Sequence, residues 1–186
     1  MLLRLRTNND QVFDPTDESV ITCLDIRVGN LTNPREHPTA DKLYIEDIDC
    51  GEEVPRQICS GLVNFIPKDK MSGLCLVVTN LKARKMQGQD SNGMVLAAMS
   101  KDGTQVELLR PPAGAVLGER VSFEGLPQGT AATPNQLNKQ GKKALEAILT
   151  GGELVVNSDC EASWRGRTMV TKAGPVKASL AGATIK

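Results

Sequence analysis

The sequence predicts a mainly β protein: a small, partly closed barrel with a short α+β piece appended at its carboxyl end. Three observations predict it. Short runs in which apolar and polar residues alternate recur along the first two thirds of the chain, and glycine or proline punctuates the gaps between them. No helical pattern of roughly 10–15 residues alternates with these runs, which disfavours a parallel α/β sheet. One good helical stretch stands apart, beyond residue 130, where the composition has shifted to Pro, Gly, Thr and Ala.

Residues 1–19 are polar and acidic toward their end (Asp10, Asp14, Asp17, Glu18), and read as a flexible lead-in. From Val20 the pattern changes. Thr22, Leu24, Ile26 and Val28 alternate with Cys23, Asp25 and Arg27, as in a half-buried strand, and Gly29 offers a place to bend or bulge. Pro34 to Asp41 holds two prolines and reads as a loop with one helical turn. Leu43 to Cys50 is the next strand, stopped by Gly51, and Gln57 to Ser60 a third, stopped by Gly61. Pro67 to Met71 is short enough to be one helical turn. Leu74 to Thr79 is the most apolar strand, and Met94 to Met99 returns after a basic loop. Val106 to Leu109 and Val121 to Phe123 close the series. The count fits a five-stranded oligonucleotide-binding barrel over residues 20–126, with one or two strands left as extras. Residues 127–135 have linker composition. Thr133 and Pro134 then supply a cap and a first helical position for a helix from Gln136 to Thr150, ended by Gly151-Gly152. Leu154 to Val156, Met169 to Thr171 and Val176 to Ala178 read as short strands around Trp164. The piece 127–186 is too small for a core of its own and is expected to pack on the barrel.

A chain of 186 residues, 40% hydrophobic and 24% charged, buries enough apolar surface to fold without metal or disulfide staples. No apolar run approaches the length of a membrane-spanning helix, and the start Met1-Leu2-Leu3-Arg4-Leu5-Arg6 does not resemble a secretory leader. The five cysteines are odd in number and lack CxxC spacing, so they read as reduced thiols, mostly buried, in a cytoplasmic protein. With a single histidine and no paired ligands, neither a metal nor another cofactor is expected. Net charge is zero, but residues 1–60 carry −6 and residues 61–186 carry +6. Such asymmetry permits a local basic face on a neutral molecule.

Catalytic signatures are missing: there is no phosphate-cradling GxxxxGK[ST], no GxGxxG and no GxSxG. His37, between Glu36 and Pro38, has no evident partner for general-base work and reads as a locally bonded turn residue. The acidic group Glu46, Asp47, Asp49, Glu52 and Glu53 is split between two faces by strand alternation, and reads as a solvated strand and turn. The informative segment runs from Asn80 to Met94, directly after the most apolar strand. Lys82, Arg84 and Lys85 fall within four residues, and Asn80, Gln87, Ser91 and Asn92 add neutral polar groups. Cations hold phosphates, and neutral polar groups read base edges or 2′-hydroxyls. Charge alone does not distinguish this loop from an ordinary solvated one.

The stretch, with other pieces in order, resembles the tRNA-binding domain of the endothelial monocyte-activating polypeptide and multisynthetase auxiliary factor family, also found at the carboxyl end of some methionyl- and tyrosyl-tRNA synthetases. The pieces are Leu24-Asp25-Ile26-Arg27-Val28-Gly29, His37-Pro38-Thr39-Ala40-Asp41-Lys42-Leu43-Tyr44, Asp49-Cys50-Gly51, Pro55-Arg56 with Ser60-Gly61-Leu62-Val63, Asn80-Leu81-Lys82 with Met86, Ser91-Asn92-Gly93-Met94, and Leu109-Arg110-Pro111-Pro112. Together they cover about 21 to 125, and Trp164-Arg165-Gly166 with the ending resembles the appended subdomain of the eukaryotic branch. The resemblance implies a non-catalytic module that binds tRNA by shape and backbone for an aminoacyl-tRNA synthetase or multisynthetase complex. It also implies a monomer whose carboxyl-terminal subdomain mimics a dimer interface. Only 3% of residues are aromatic, which disfavours a base-stacking platform. Position by position, it implies RNA contacts at Asn80, Lys82, Lys85, Met86, Ser91 and Met94, with Lys42 and Arg56 from neighbouring strands. Arg84 joins on charge and position. Lys42, Arg56, Lys82 and Lys85 should therefore share one face, and Met94 stands evenly between contact and core. Two alternatives stay open: a polypeptide-binding, export-chaperone-like protein of the same fold, and a carboxyl-terminal fragment of a synthetase.

Overall fold

The computed structural model describes residues 13–186. Eleven residues form the long first strand, β1 (Ile26–Glu36), which pairs antiparallel with β2 (Tyr44–Asp49) on one side and with β4 (Gly73–Val78) on the other. β3 (Arg56–Ser60) extends the sheet beyond β2. After the hairpin β5 (Arg84–Met86) and β6 (Gln89–Ser91), β7 (Met94–Val95) pairs with β4, giving the order β3-β2-β1-β4-β7. This curled sheet is the expected barrel. Its interior holds Leu31, Tyr44, Ile48, Ile58, Met71, Cys75 and Val77. The short helical turn expected near Pro67 forms at Lys68–Lys70.

The strand expected over Met94 to Met99 breaks at Leu96. Its second half, β8 (Ala97–Met99), leaves the barrel sheet and pairs with β9 (Val106–Leu108). β10 (Ser122–Phe123) follows. Thr133 then caps α1 (Pro134–Lys139) with a reciprocal pair of bonds to Gln136, the capping box that its sequence permits. The single helix expected from Gln136 to Thr150 is two: α2 (Lys142–Thr150) starts anew after Gly141, where an added Cβ would crowd Leu137 and Phe13. Beyond it come β11 (Leu154–Val156), β12 (Ala162–Trp164), β13 (Arg167–Thr171), β14 (Gly174–Pro175) and β15 (Thr184–Ile185). β12 lies where only a lone tryptophan had been singled out, and the strand expected over Val176 to Ala178 is an irregular segment with bridges at Lys177.

The carboxyl-terminal piece packs on the barrel and shares a sheet with it. β15 pairs with β8, so the order β10-β13-β12-β11-β15-β8-β9 runs from one part into the other. One apolar cluster joins Leu76, Val78, Leu96 and Ala98 of the barrel side to Leu137, Ala144, Ile148, Trp164 and Ile185. The lead-in expected over 1–19 is described only from Phe13. Residues 1–12 lie outside the described residues, but Phe13 packs against this shared cluster. Arg165 donates to the carbonyls of Pro15 and Thr16, and the Trp164 indole donates to Glu18 O at 2.8 Å. The strand expected from about Thr22 begins only at Ile26. Asp17 caps a 3-10 helix over Glu18–Cys23 instead, and its turn buries Val20, Ile21 and Cys23 together. Gly29 is not the site of the bulge. A Cβ there would lie 2.7 Å from an Ile48 methyl, so close packing explains the glycine. The bulge falls between Thr32 and Arg35, where Asn33 adopts φ 48°.

Candidate nucleic-acid interface

The segment after β4 is a hairpin. β5 and β6 pair Arg84 with Ser91, Lys85 with Asp90, and Met86 with Gln89. Gln87 and Gly88 close it at φ 50° and 89°, the two left-handed residues that a two-residue hairpin turn of the primed type requires. Two strands of three residues do not hold themselves together in water, and the polar residues around them are arranged accordingly.

Asn80 is buried at the hairpin's base. Its amide oxygen accepts from Asp25 N at 2.9 Å, and its amide nitrogen donates to Cys23 O and Ala132 O. Ser91 is buried too, its hydroxyl accepting from Cys59 N at 3.0 Å. Gln57 donates to Asp90 O, and Asn92 N donates to Gln57 O. Arg56 donates to Thr79 O and Asn92 O while pairing with Glu52 at 2.6 Å, and this pairing holds Glu52 below the usual carboxylate range. Hydrogen-bonding side chains were expected at Asn80 and Ser91, and they do hydrogen-bond, but to protein. Turned inward and satisfied, Asn80 and Ser91 present no free group to a ligand, and Arg56 is committed to the hairpin's base. All three act as staples.

The exposed residues are the long cations. Arg84 and Lys85 on β5 face Lys42 across a groove of about 680 Å³, lined on one side by Thr39–Leu43 and on the other by Arg84–Gln87. Lys85 also pairs with Asp90 across the hairpin at 2.9 Å, both side chains well exposed. A surface pair of this kind contributes at most about 1 kcal/mol, so a phosphate can exchange for it. Lys82 is exposed next to the groove but outside its lining. Of the four residues expected to share a face, Lys42 and Lys85 line one groove, with Arg84; Lys82 lies outside that lining and Arg56 is engaged elsewhere. Met86 is half-buried and lines the groove, whereas Met94 packs against the shared apolar cluster.

One residue was undervalued. His37 is buried; its Nε2 lies 3.1 Å from Met86 O on β5, and its Nδ1 accepts from Thr39 N at 3.1 Å. Its place within the motif-like run His37 to Tyr44 was the signal available. Glu46, expected on a solvated strand, is fully buried, with Ser60 donating to one oxygen and the other without a partner. Strand alternation puts it on one face with Tyr44 and Ile48, which was legible.

A small β barrel presenting a cationic groove on a stapled hairpin defines the class: a nucleic-acid-binding barrel domain of the oligonucleotide-binding type. Comparison with known proteins agrees. Residues 26–120 match the family described as "Putative tRNA binding domain", and the chain belongs to that family. It is 43% identical over 165 residues to the cytoplasmic tyrosine–tRNA ligase of Gallus gallus, covering 87% of this chain and 30% of that protein. It is 47% identical over 134 residues to a probable methionine–tRNA ligase of Oryza sativa, covering 71% and 17%. It is 37% identical over 153 residues to the aminoacyl tRNA synthase complex-interacting multifunctional protein 1 of Cricetulus griseus, covering 82% and 40%. The chain thus spans less than half the length of these relatives. Among solved structures, the carboxyl-terminal domain of Plasmodium vivax p43 superposes with a TM-score of 0.82 at 32% identity, covering 89% of this chain and 98% of that one. That match takes in the carboxyl-terminal piece as well as the barrel. A MetRS-related protein of Pyrococcus horikoshii superposes with a TM-score of 0.52 at 30% identity, covering 56% of this chain and 94% of that one.

Proposed function

We propose that this chain is a non-catalytic module that holds tRNA for an aminoacyl-tRNA synthetase or a multisynthetase complex. The observation that carries the reading is the convergence of Lys42, Arg84 and Lys85 on one groove within the family-matched region. Cations on a loop and on a hairpin strand, facing one groove beside the barrel, suit a ligand whose phosphates recur along a backbone. Lys82, exposed two residues before Arg84, adds a further cation to the same segment, and Met86 supplies an apolar contact in the groove. Asn80, Ser91 and Arg56 act indirectly, by holding the hairpin that carries the contacts. Partnership with a synthetase rests on the named relatives, either in the same chain or as a separate subunit, and a tethered tRNA site raises the local tRNA concentration at the catalytic domain. The same relatives support a cytoplasmic setting, and among the described residues no helix is long and apolar enough to cross a membrane. The carboxyl-terminal piece covers the β8 edge through β15, which supports a monomer needing no second copy at that surface.

The test is tRNA binding by the triple variant Lys42→Ala/Arg84→Ala/Lys85→Ala across a salt series. Affinity should fall, and the slope of log affinity against log salt should shrink by roughly 0.7–0.9 for each phosphate contact removed, roughly 2.1–2.7 units for all three. Wild-type affinity with an unchanged slope would rule out the groove as the site.

A further inference from the structure

The two walls of the cationic groove belong to different elements. One wall is the loop 37–43, which closes on itself: His37 N donates to Leu43 O, and Leu43 N donates to Ala40 O, both at 3.0 Å. The other wall is β5, the outer strand of the hairpin. Every staple described above reaches the hairpin's base or its inner strand: Cys59 N meets Ser91, Gln57 meets Asp90 O, and Arg56 meets Asn92 O. β5, which carries Arg84 and Lys85, is paired with β6 and is otherwise tied down at one place. Among the described residues, the hydrogen bond that joins the two walls is His37 Nε2 to Met86 O.

The ring's proton placement follows from its partners. Thr39 N can only donate, so Nδ1 must accept, and Nε2 carries the hydrogen that it donates to the Met86 carbonyl. Both nitrogens of a buried ring are therefore committed, one to each wall. His37 offers nothing to a ligand directly; what it fixes is the separation between Lys42 and the pair Arg84 and Lys85. Holding cations at a set spacing before the ligand arrives removes an ordering cost from binding.

We propose that His37 is a positioning residue for RNA binding: a strut that sets the width of the groove so that its two cationic walls engage backbone phosphates together. The inference rests on the reading of the groove as the RNA site. It differs from a plain stability role, because the bond spans the two binding walls and leaves the barrel interior untouched.

Two substitutions separate the halves of the ring's duty. In His37→Asn the side-chain oxygen replaces Nδ1 as acceptor for Thr39 N, as Asn does in turns, but nothing reaches Met86 O. In His37→Gln the longer amide restores a donor near the position of Nε2. Binding of unfractionated tRNA, read with the thermal midpoint of each protein, gives the test. His37→Asn should bind roughly two- to tenfold more weakly, the range of one net hydrogen bond. Its salt slope should match wild type, since no phosphate contact is deleted, and its midpoint should stay close to wild type. His37→Gln should recover most of the affinity. Wild-type affinity in His37→Asn overturns the strut, as does equal weakening in both variants. A slope reduced by one phosphate contact also overturns it, because the ring would then touch RNA itself. The triple groove variant tells the two failures apart. If it weakens binding and His37→Asn does not, only the strut is wrong; if neither weakens it, the site itself lies elsewhere.

Discussion

Glu46→Gln probes the barrel interior through a group with no place in the binding groove. Glu46 lies on β2 between Tyr44 and Ile48, fully buried, with Ser60 bonded to one carboxyl oxygen and no partner for the other. Dehydration outweighs the Ser60 bond and the attraction of Arg35, and pushes the carboxyl from its ordinary 4.5 up to about 7. An acid whose value is higher folded than unfolded leaves stability intact below 4.5. It drains stability as pH rises toward 7, and the loss levels off above that. The span between the two values corresponds to on the order of 3 kcal/mol. A glutamine does not titrate, so the difference in unfolding free energy between wild type and variant should change by about that amount between acid and mildly alkaline pH. At acid pH the two proteins should lie close together, because the amide nitrogen takes the place of a carboxyl oxygen that also lacks a partner. Above pH 7 the variant should become the more stable protein. Urea unfolding of both proteins across this range is the assay, and taking the difference cancels the other carboxylates. Two parallel curves, with a gap that does not depend on pH, would refute the placement of a dehydrated carboxyl inside the barrel.

Asn80→Ala strands Asp25 N–H and the carbonyl of Ala132, and leaves Cys23 O with the Ala132 N–H alone. It should cost about 2–4 kcal/mol, read as a fall in the thermal midpoint, while the salt slope for tRNA at a temperature where the variant is folded stays at the wild-type value. Unchanged stability with a shallower slope would return Asn80 to the list of RNA contacts. The thiols give a separate check on packing. Burial raises Cys23 and Cys50 to about 11 and Cys75 to about 12, and raises Cys59 as well, whereas Cys160 is only half-buried. Alkylation of the folded protein at mildly alkaline pH, followed by peptide mapping, should therefore mark Cys160 rapidly and the other four only after denaturation. Rapid labelling of Cys75 would contradict the barrel interior described here.

The barrel was legible because its strands alternate and its turns are punctuated. Tyr44–Asp49, Arg56–Ser60 and Gly73–Val78 fall within a residue or two of their expected limits. What the pattern misled on was continuity. Thr22 to Val28 alternates throughout, yet the chain coils into a 3-10 turn up to Cys23, because burying Val20, Ile21 and Cys23 against the carboxyl-terminal piece is a long-range demand that period-two alternation does not record. The same holds for Leu96, where a continuous apolar run hides the change from one sheet to another. At the site, the family resemblance pointed to Lys42, Lys82 and Lys85, and charge and position to Arg84; all four are exposed, as long cations generally are. Neither separated Asn80 and Ser91 from true surface groups, because an amide or a hydroxyl serves a backbone and a ligand equally well.

That ambiguity has a physical origin in the hairpin itself. A loop that binds a charged polymer must keep its cations in water and still hold them still. Lysine and arginine meet the first need through long stems, at the cost of side-chain freedom. The second falls to short polar residues at the base, where three-residue strands contribute too few ladder bonds. Asn80 ties the hairpin's start to Cys23 O and to Ala132 O, just ahead of the α1 cap, so the same amide that steadies the groove also fastens the carboxyl-terminal piece to the barrel. Anything that loosened that piece would reach the cations through Asn80. Its packing accordingly bears on the geometry of the groove proposed to bind RNA, even where its own residues line none of it.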